Sequence, residues 1–212
     1  MTEPDLTAAL ALDGLDATLK LYRDWAATYD SGFATEMAFN LPHLVAHAFV
    51  GAGGSGPVLD IGAGTGLLAQ NLRTADFTDP IDGLDFSAEM LARAREKAIY
   101  RDLILADVTQ PLPLPRAYNG VTSSGTFTFG HVGPEAVGPL LAIALPGALF
   151  ALSINQKFWV ASGFESAIDG LQQAGRIRDL RRIDVAIYGT AAAAIDRDHA
   201  NDRAWITLFR AT

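Results

Sequence analysis

Apolar positions recur at two spacings along this chain, and the alternation between them lays out its elements. Val58, Leu59 and Ile61 form a compact run rich in β-branched residues, the pattern of a central parallel strand covered on both faces. Comparable runs over Ile81–Phe86, Leu103–Val108, Tyr118–Gly125 with its following loop, and Gly147–Ile154 predict four more strands. Helices are predicted over Leu67–Thr74, from Ser87 to near Tyr100, over Pro139–Leu145 (or kinked at Gly138–Pro139), and over Gly163–Ala174. Ile177–Tyr188 and Asp202–Arg210 instead alternate apolar and polar residues. Ile183, Val185 and Ile187 then share one face, Trp205, Thr207 and Phe209 alternate in the last run, and the two segments read as antiparallel strands.

The amino-terminal part has a different character. Leu6–Asp30 is helical in composition, with Asp16 as a cap and Leu19, Tyr22, Trp25, Ala26 and Tyr29 at three- and four-residue spacing. A second helix is expected over Thr35–Val50, and residues 51–56, Gly-Ala-Gly-Gly-Ser-Gly, read as a flexible linker. The chain thus divides into a helical cap, residues 1–50, and a sheet unit, residues 51–212, which fold together.

The first strand runs straight into Gly62-Ala63-Gly64-Thr65-Gly66. Three glycines let the backbone turn sharply and let a ligand approach without meeting a Cβ. Thr65 is placed to cap the helix beginning near Leu67. A bare backbone surface at the carboxyl end of a strand is where open α/β sheets bind ligands. The dinucleotide fingerprint needs a glycine or alanine where Leu67 stands, and a phosphate loop needs a Gly-Lys-Ser/Thr ending that is missing. Gly51–Gly56 meets the dinucleotide spacing but precedes the strand, so it lacks the required context.

Composition narrows the partners. A net charge of -8 repels a phosphate backbone, so nucleic acid is not an expected substrate. The chain has no cysteine, which removes thiolate chemistry. His43 and His47 sit one turn apart, but with no Glu between them and no third ligand nearby they read as ordinary histidines, and no metal is expected. The longest charge-free apolar run, Leu140–Ile154, is shorter than the roughly 20 residues of a membrane span and is interrupted by Pro146-Gly147. The first residues lack a basic-then-apolar leader pattern. These features predict a cytoplasmic protein without membrane partners.

Asp60-x-Gly62-x-Gly64-x-Gly66, followed by Asp85 and Asp107, closely resembles the first motifs of the class I S-adenosylmethionine-dependent methyltransferases. Gly83-Leu84-Asp85-Phe86-Ser87-Ala88-Glu89-Met90-Leu91 is similar to the second motif, and Tyr22–Asp30 to the amino-terminal signature of small-molecule members. The resemblance implies a Rossmann-like α/β fold: seven mostly parallel strands, helices on both faces, an antiparallel final hairpin and an amino-terminal helical cap. It implies a cofactor, S-adenosylmethionine, held by Asp60, Gly62, Ala63, Gly64, Gly66, Phe86, Met90, Val108 and Ser123. Asp85 would grip the ribose hydroxyls, Asp107 would meet the adenine amino group, and Tyr22 and Tyr29 would wall the transfer chamber. Plainer readings stand beside these: a core-facing aromatic stripe, a helix cap at Asp85, a turn at Asp107. Asn119 departs from the acid common in relatives, and the Asn/Asp-Pro-Pro-aromatic motif of certain amino-methyltransferases is absent.

Thr126–Gly133 follows the fourth strand, where a methyl acceptor sits in this fold. His131 is the histidine placed to take a proton there, and a backbone-bonded loop histidine is the equal alternative. Asn155, Phe158 and Trp159 offer a second wall, with plain core packing of the aromatics as the alternative. The expected activity is direct displacement of the methyl group by a small, partly apolar acceptor. The rivals are a nicotinamide-dependent oxidoreductase and a non-catalytic cofactor-binding module.

Overall fold

A computed structural model describes Leu21, Arg23, Trp25, Ala26 and residues 28–212. Most of the predicted first helix, Tyr22 included, lies outside the described residues. Seven strands form one sheet in the order β3-β2-β1-β4-β5-β7-β6. They are β1 (Val58–Ile61), β2 (Ile81–Asp85), β3 (Asp102–Leu105), β4 (Tyr118–Phe127), β5 (Ala144–Asn155), β6 (Ile177–Ala186) and β7 (Arg203–Ala211). Pairings from β3 through β5 are parallel, whereas β7 runs antiparallel to both β5 and β6. The strand order reverses between β1 and β4, which places a ligand crevice beyond the carboxyl ends of those two strands.

The helices are α1 (Leu41–Gly51), α2 (Leu67–Thr74), α3 (Ala88–Glu96), α4 (Val137–Ile143), α5 (Gln156–Ala161) and α6 (Phe164–Gln173). Side-chain alternation along the strands divides the core in two. Val58 joins Leu149, Ala151, Ile206 and Leu208 beneath Val45, Ala46 and Phe49 of α1 and Leu68, Ala69 and Leu72 of α2. Leu59 and Ile61 point the other way, to Val121, Phe150, Leu152 and Phe209, and pack under α4 and α6. Among the described residues, no helix is long and apolar enough to cross a membrane.

Several predicted boundaries shift, each for a local reason. The helix expected over Thr35–Val50 gives way to α1 beginning at Leu41: Ala38 is left-handed with φ 46°, and Pro42 suits a first helical turn. Instead of reaching Tyr100, α3 stops at Glu96, because Ala98, with φ 53°, ends the helical run. The third strand ends at Leu105, leaving Asp107 and Val108 in the loop. The helix expected from Pro139 starts at Val137, after a 3₁₀ turn over Pro134–Ala136.

Residues 51–56 are no flexible linker. Gly54 N donates to Phe49 O at 2.9 Å, Gly56 N to Asp79 Oδ2 at 2.7 Å, and Arg210 donates to Ala52 O at 3.0 Å. A Cβ on Gly54 would lie 2.4 Å from the Phe49 ring. The glycines allow a tight helix end to close over its own core residue.

Candidate active site

The glycine bend leaves β1 with Gly62 at φ +63°, Gly64 at +53° and Gly66 at +91°. A Cβ on Gly62 would stand 2.0 Å from Thr126 Oγ1, so the bend lies hard against the end of β4. Gly66, not Thr65, occupies the cap position of α2. The Thr65 hydroxyl instead donates to Asp30 Oδ1 at 2.5 Å, which corrects the predicted cap. Lys97 Nζ reaches Asp30 Oδ2 at 2.7 Å, so one carboxylate ties the amino-terminal segment to the bend and to the end of α3.

Asp60, wholly buried, accepts from the Tyr100 hydroxyl through Oδ2 at 2.8 Å. Its Oδ1 has no partner among the described residues. At the end of β2, Asp85 accepts from Gly64 N through Oδ2 (2.8 Å) and from Ser87 N through Oδ1 (2.9 Å), and so fastens the bend to the start of α3. Ser87 caps α3, its Oγ accepting from Met90 N. Ala106 N bonds to Asp85 O, which puts Asp107 at the same sheet edge. There Asp107 Oδ1 accepts from both Thr109 N and Thr109 Oγ1, the turn its residue type suggested. Ala63, Val108 and Met90 are buried, Met90 against Trp25 and Ala26, and Phe86 is half-buried. The Ser123 hydroxyl stitches β4 to Ile61 O at 2.8 Å.

Beside the bend lies a pocket that opens to solvent. Trp25, Tyr29, Phe33, Phe39 and Tyr188 form its aromatic side. Phe33 is the hub, with ring centroids 4.8 Å from Trp25, 5.4 Å from Tyr29, 5.8 Å from Phe39 and 6.2 Å from Tyr188. Thr128, His131, Ser153, Asn155 and Asp202 supply its polar lining, from β5 and from the segments that follow β4 and precede β7. Tyr29 and His131 therefore share one chamber. Trp159 does not line it. That ring is buried, stacked on Phe164 at 5.8 Å with Arg182 over it at 5.2 Å, so the predicted wall residue is core.

Comparison with known proteins agrees with this geometry. The methyltransferase-domain family matches residues 58–144. Human methyltransferase-like protein 27 is 32% identical, across 79% of this chain and 71% of its own length. This chain is a class I S-adenosylmethionine-dependent methyltransferase. In solved structures, phosphoethanolamine N-methyltransferase 2 of Haemonchus contortus, bound to phosphomonomethylethanolamine and S-adenosylhomocysteine, superposes with a TM-score of 0.62 at 16% identity, over 90% of this chain and 60% of that one. An S-adenosylmethionine-dependent methyltransferase of Thermotoga maritima gives 0.62 at 12% identity, over 91% and 98%.

Burial sets the electrostatics of this methyltransferase's site. Desolvation pushes the Asp60 carboxyl up to about 7, against the Tyr100 hydrogen bond that lowers it. Asp85 is raised by the same cause and held back by the backbone donors of Ser87 and Gly64. His131 is lowered by desolvation, so its ring is neutral at pH 7. Its Nδ1 lies 2.8 Å from Phe129 O, which in the neutral ring places the proton there and the lone pair on Nε2. His131 is thus backbone-bonded at one nitrogen and lines the chamber.

Sequence reasoning missed Tyr100, Asp30, Phe33, Phe39, Tyr188 and Asp202. Asp30 was within sight, adjoining Tyr29 in the signature already quoted. The others sit where no local pattern distinguishes them from core or turn residues.

Proposed function

We propose that this methyltransferase acts on a small, partly apolar molecule held in the aromatic chamber, by direct displacement with His131 as proton acceptor. The chamber carries the reading: aromatic and polar side chains line one pocket beside the cofactor bend. The residues at the bend suit S-adenosylmethionine. The orphaned Oδ1 of Asp60 is an acceptor waiting for a donor, and at Gly64 an added Cβ would meet nothing nearer than Gly62 O at 3.9 Å, so the bend is open there. Each Asp85 oxygen spends one acceptor position on the backbone and keeps another for a ribose hydroxyl. Gly62, Ala63, Gly64, Gly66, Phe86, Met90, Val108 and Ser123 would complete the pocket, with Asp107 toward the adenine and Tyr29 toward the methyl group.

When bound, the cofactor supplies a methyl group already activated on a sulfonium. What the chain adds is alignment and exclusion of water: the aromatic residues close off part of the chamber, and Asn155, Ser153 and Thr128 offer polar anchors. His131 Nε2 takes the proton that the acceptor's attacking atom must lose. Leu67, standing where the fingerprint needs a glycine or alanine, speaks against the dinucleotide alternative.

The test is turnover with S-adenosylmethionine across a panel of small alcohols, amines and thiols, following S-adenosylhomocysteine and methylated product together. At least one partly apolar member should be methylated. His131→Gln should lower kcat by about 10²-fold and abolish an acid limb whose midpoint lies below the ordinary histidine value near 6.5. Methylation confined to protein or nucleic acid would overturn the small-molecule reading, and an unchanged pH profile in the variant would remove the base.

A further inference from the structure

We infer that the acceptor is an organic amine, bound as its cation between the aromatic wall of the chamber and the buried carboxylate of Asp202. The inference rests on the small-molecule reading above and names the substrate class for the same chamber. Asp202 supplies the only carboxylate among the described residues that line the cavity, and no Lys or Arg is among them. A carboxylic or phosphate acceptor would find no partner of opposite charge there.

Asp202 is 6% exposed, and each oxygen has one partner: Oδ1 accepts from Lys157 Nζ at 2.6 Å, and Oδ2 lies 3.1 Å from His199 Nδ1. A carboxylate offers about four acceptor positions, so two remain for a guest. The Lys157 side chain is 63% exposed, which leaves its charge mostly in solvent, while the carboxylate sits at the cavity. Trp25, Tyr29, Phe33, Phe39 and Tyr188 line the same chamber and supply the ring density that attracts a cation. Further acids act on the same walls: Asp30 and Asp85 raise the Tyr29 hydroxyl, and Asp202 and Asp196 raise that of Tyr188, each after burial itself. A hydroxyl or thiol acceptor has no use for this charge.

The chemistry closes. The ammonium gives one N–H proton to His131 Nε2. The freed nitrogen lone pair forms the N–C bond as the C–S bond breaks, with its electron pair passing to sulfur, and the product is an N-methylammonium.

Binding is the direct test. The full chain, saturated with S-adenosylhomocysteine, is titrated calorimetrically with choline, which cannot accept another methyl on nitrogen, and with its neutral isostere 3,3-dimethylbutan-1-ol. Choline should bind at least about ten-fold tighter. Asp202→Asn should erase most of that preference. Lys157→Met, which frees Oδ1, should tighten choline several-fold and leave the alcohol unchanged, and it keeps the test alive if Asp202→Asn fails to fold. Equal or tighter binding of the alcohol, no binding of either probe, or a preference indifferent to both variants overturns the inference. If small alcohols or thiols are methylated while choline shows no preference, the methyl-transfer reading survives and only the amine falls.

Discussion

Asp60 illustrates how one buried residue can work against the stability of the fold. It is wholly buried, and its second oxygen has no partner among the described residues. Its carboxyl is pushed up to about 7, against about 3.9 in an unfolded chain. The folded protein therefore binds this proton more tightly than the unfolded chain does. Between those two values the folded state holds more protons, so Asp60 makes stability fall as pH rises from about 4 to about 7 and then level off. Asp85 is shifted in the same direction. In thermal unfolding from pH 5 to pH 8, Asp60→Asn should show a shallower decline than the wild type; parallel curves would show that Asp60 titrates normally. That strain has a use if a donor on the cofactor supplies what the protein leaves out.

At the scale of elements, one polar tie between the amino-terminal segment and the rest of the chain runs through a single side chain. Asp30, at the start of a short π-helical turn over Asp30–Ala34, holds Thr65 on the bend and Lys97 at the end of α3. The ion pair is partly exposed, with side-chain exposures of 21% for Lys97 and 37% for Asp30, so its contribution to stability is small, about 1 kcal/mol or less. Its position matters more, because Thr65 lies within the glycine bend and Tyr29 adjoins Asp30. Asp30→Ala should raise the KM for S-adenosylmethionine several-fold while moving Tm by no more than about 3 °C. A large loss of Tm with unchanged KM would make this contact a piece of scaffold. The same reasoning explains why the predicted Thr65 cap failed: a threonine two residues before a helix has the right chemistry, but Asp30 arrives from another element and takes its hydroxyl.

For the whole molecule, a cofactor held as proposed at the edge where strand order reverses should stabilise the fold as a unit. At a concentration of S-adenosylhomocysteine one hundred times its Kd, the gain is about 2.7 kcal/mol, which for a chain of this size is a rise in Tm of about 5–10 °C. Asp85→Asn should shrink that rise by weakening ribose binding, and a full shift in the variant would take Asp85 out of the ribose role. The chamber belongs to this scale too. It draws on the segment from Trp25 to Leu41, on the ends of β4 and β5, and on Tyr188 and Asp202 at the final hairpin. Asn40 N bonds to Ile187 O and Gly189 N to Ala38 O, which joins the segment before α1 to the segment after β6.

Taken alone, the sequence determined the strand, bend and helix around Val58–Thr74, the acid Asp85 that ends β2, and the final antiparallel pair. Those features are set by neighbours in the chain: side-chain periodicity, glycine's access to positive φ, and the short reach of a cap or turn. Only the tertiary structure decided that Tyr100 holds Asp60, that Asp30 takes Thr65, that Trp159 is core while Tyr188 is wall, and that Asp202 faces an aromatic chamber. Each of these is a contact between segments far apart in the chain, chosen by packing across the sheet, and no local pattern of residues records which of many similar side chains will meet.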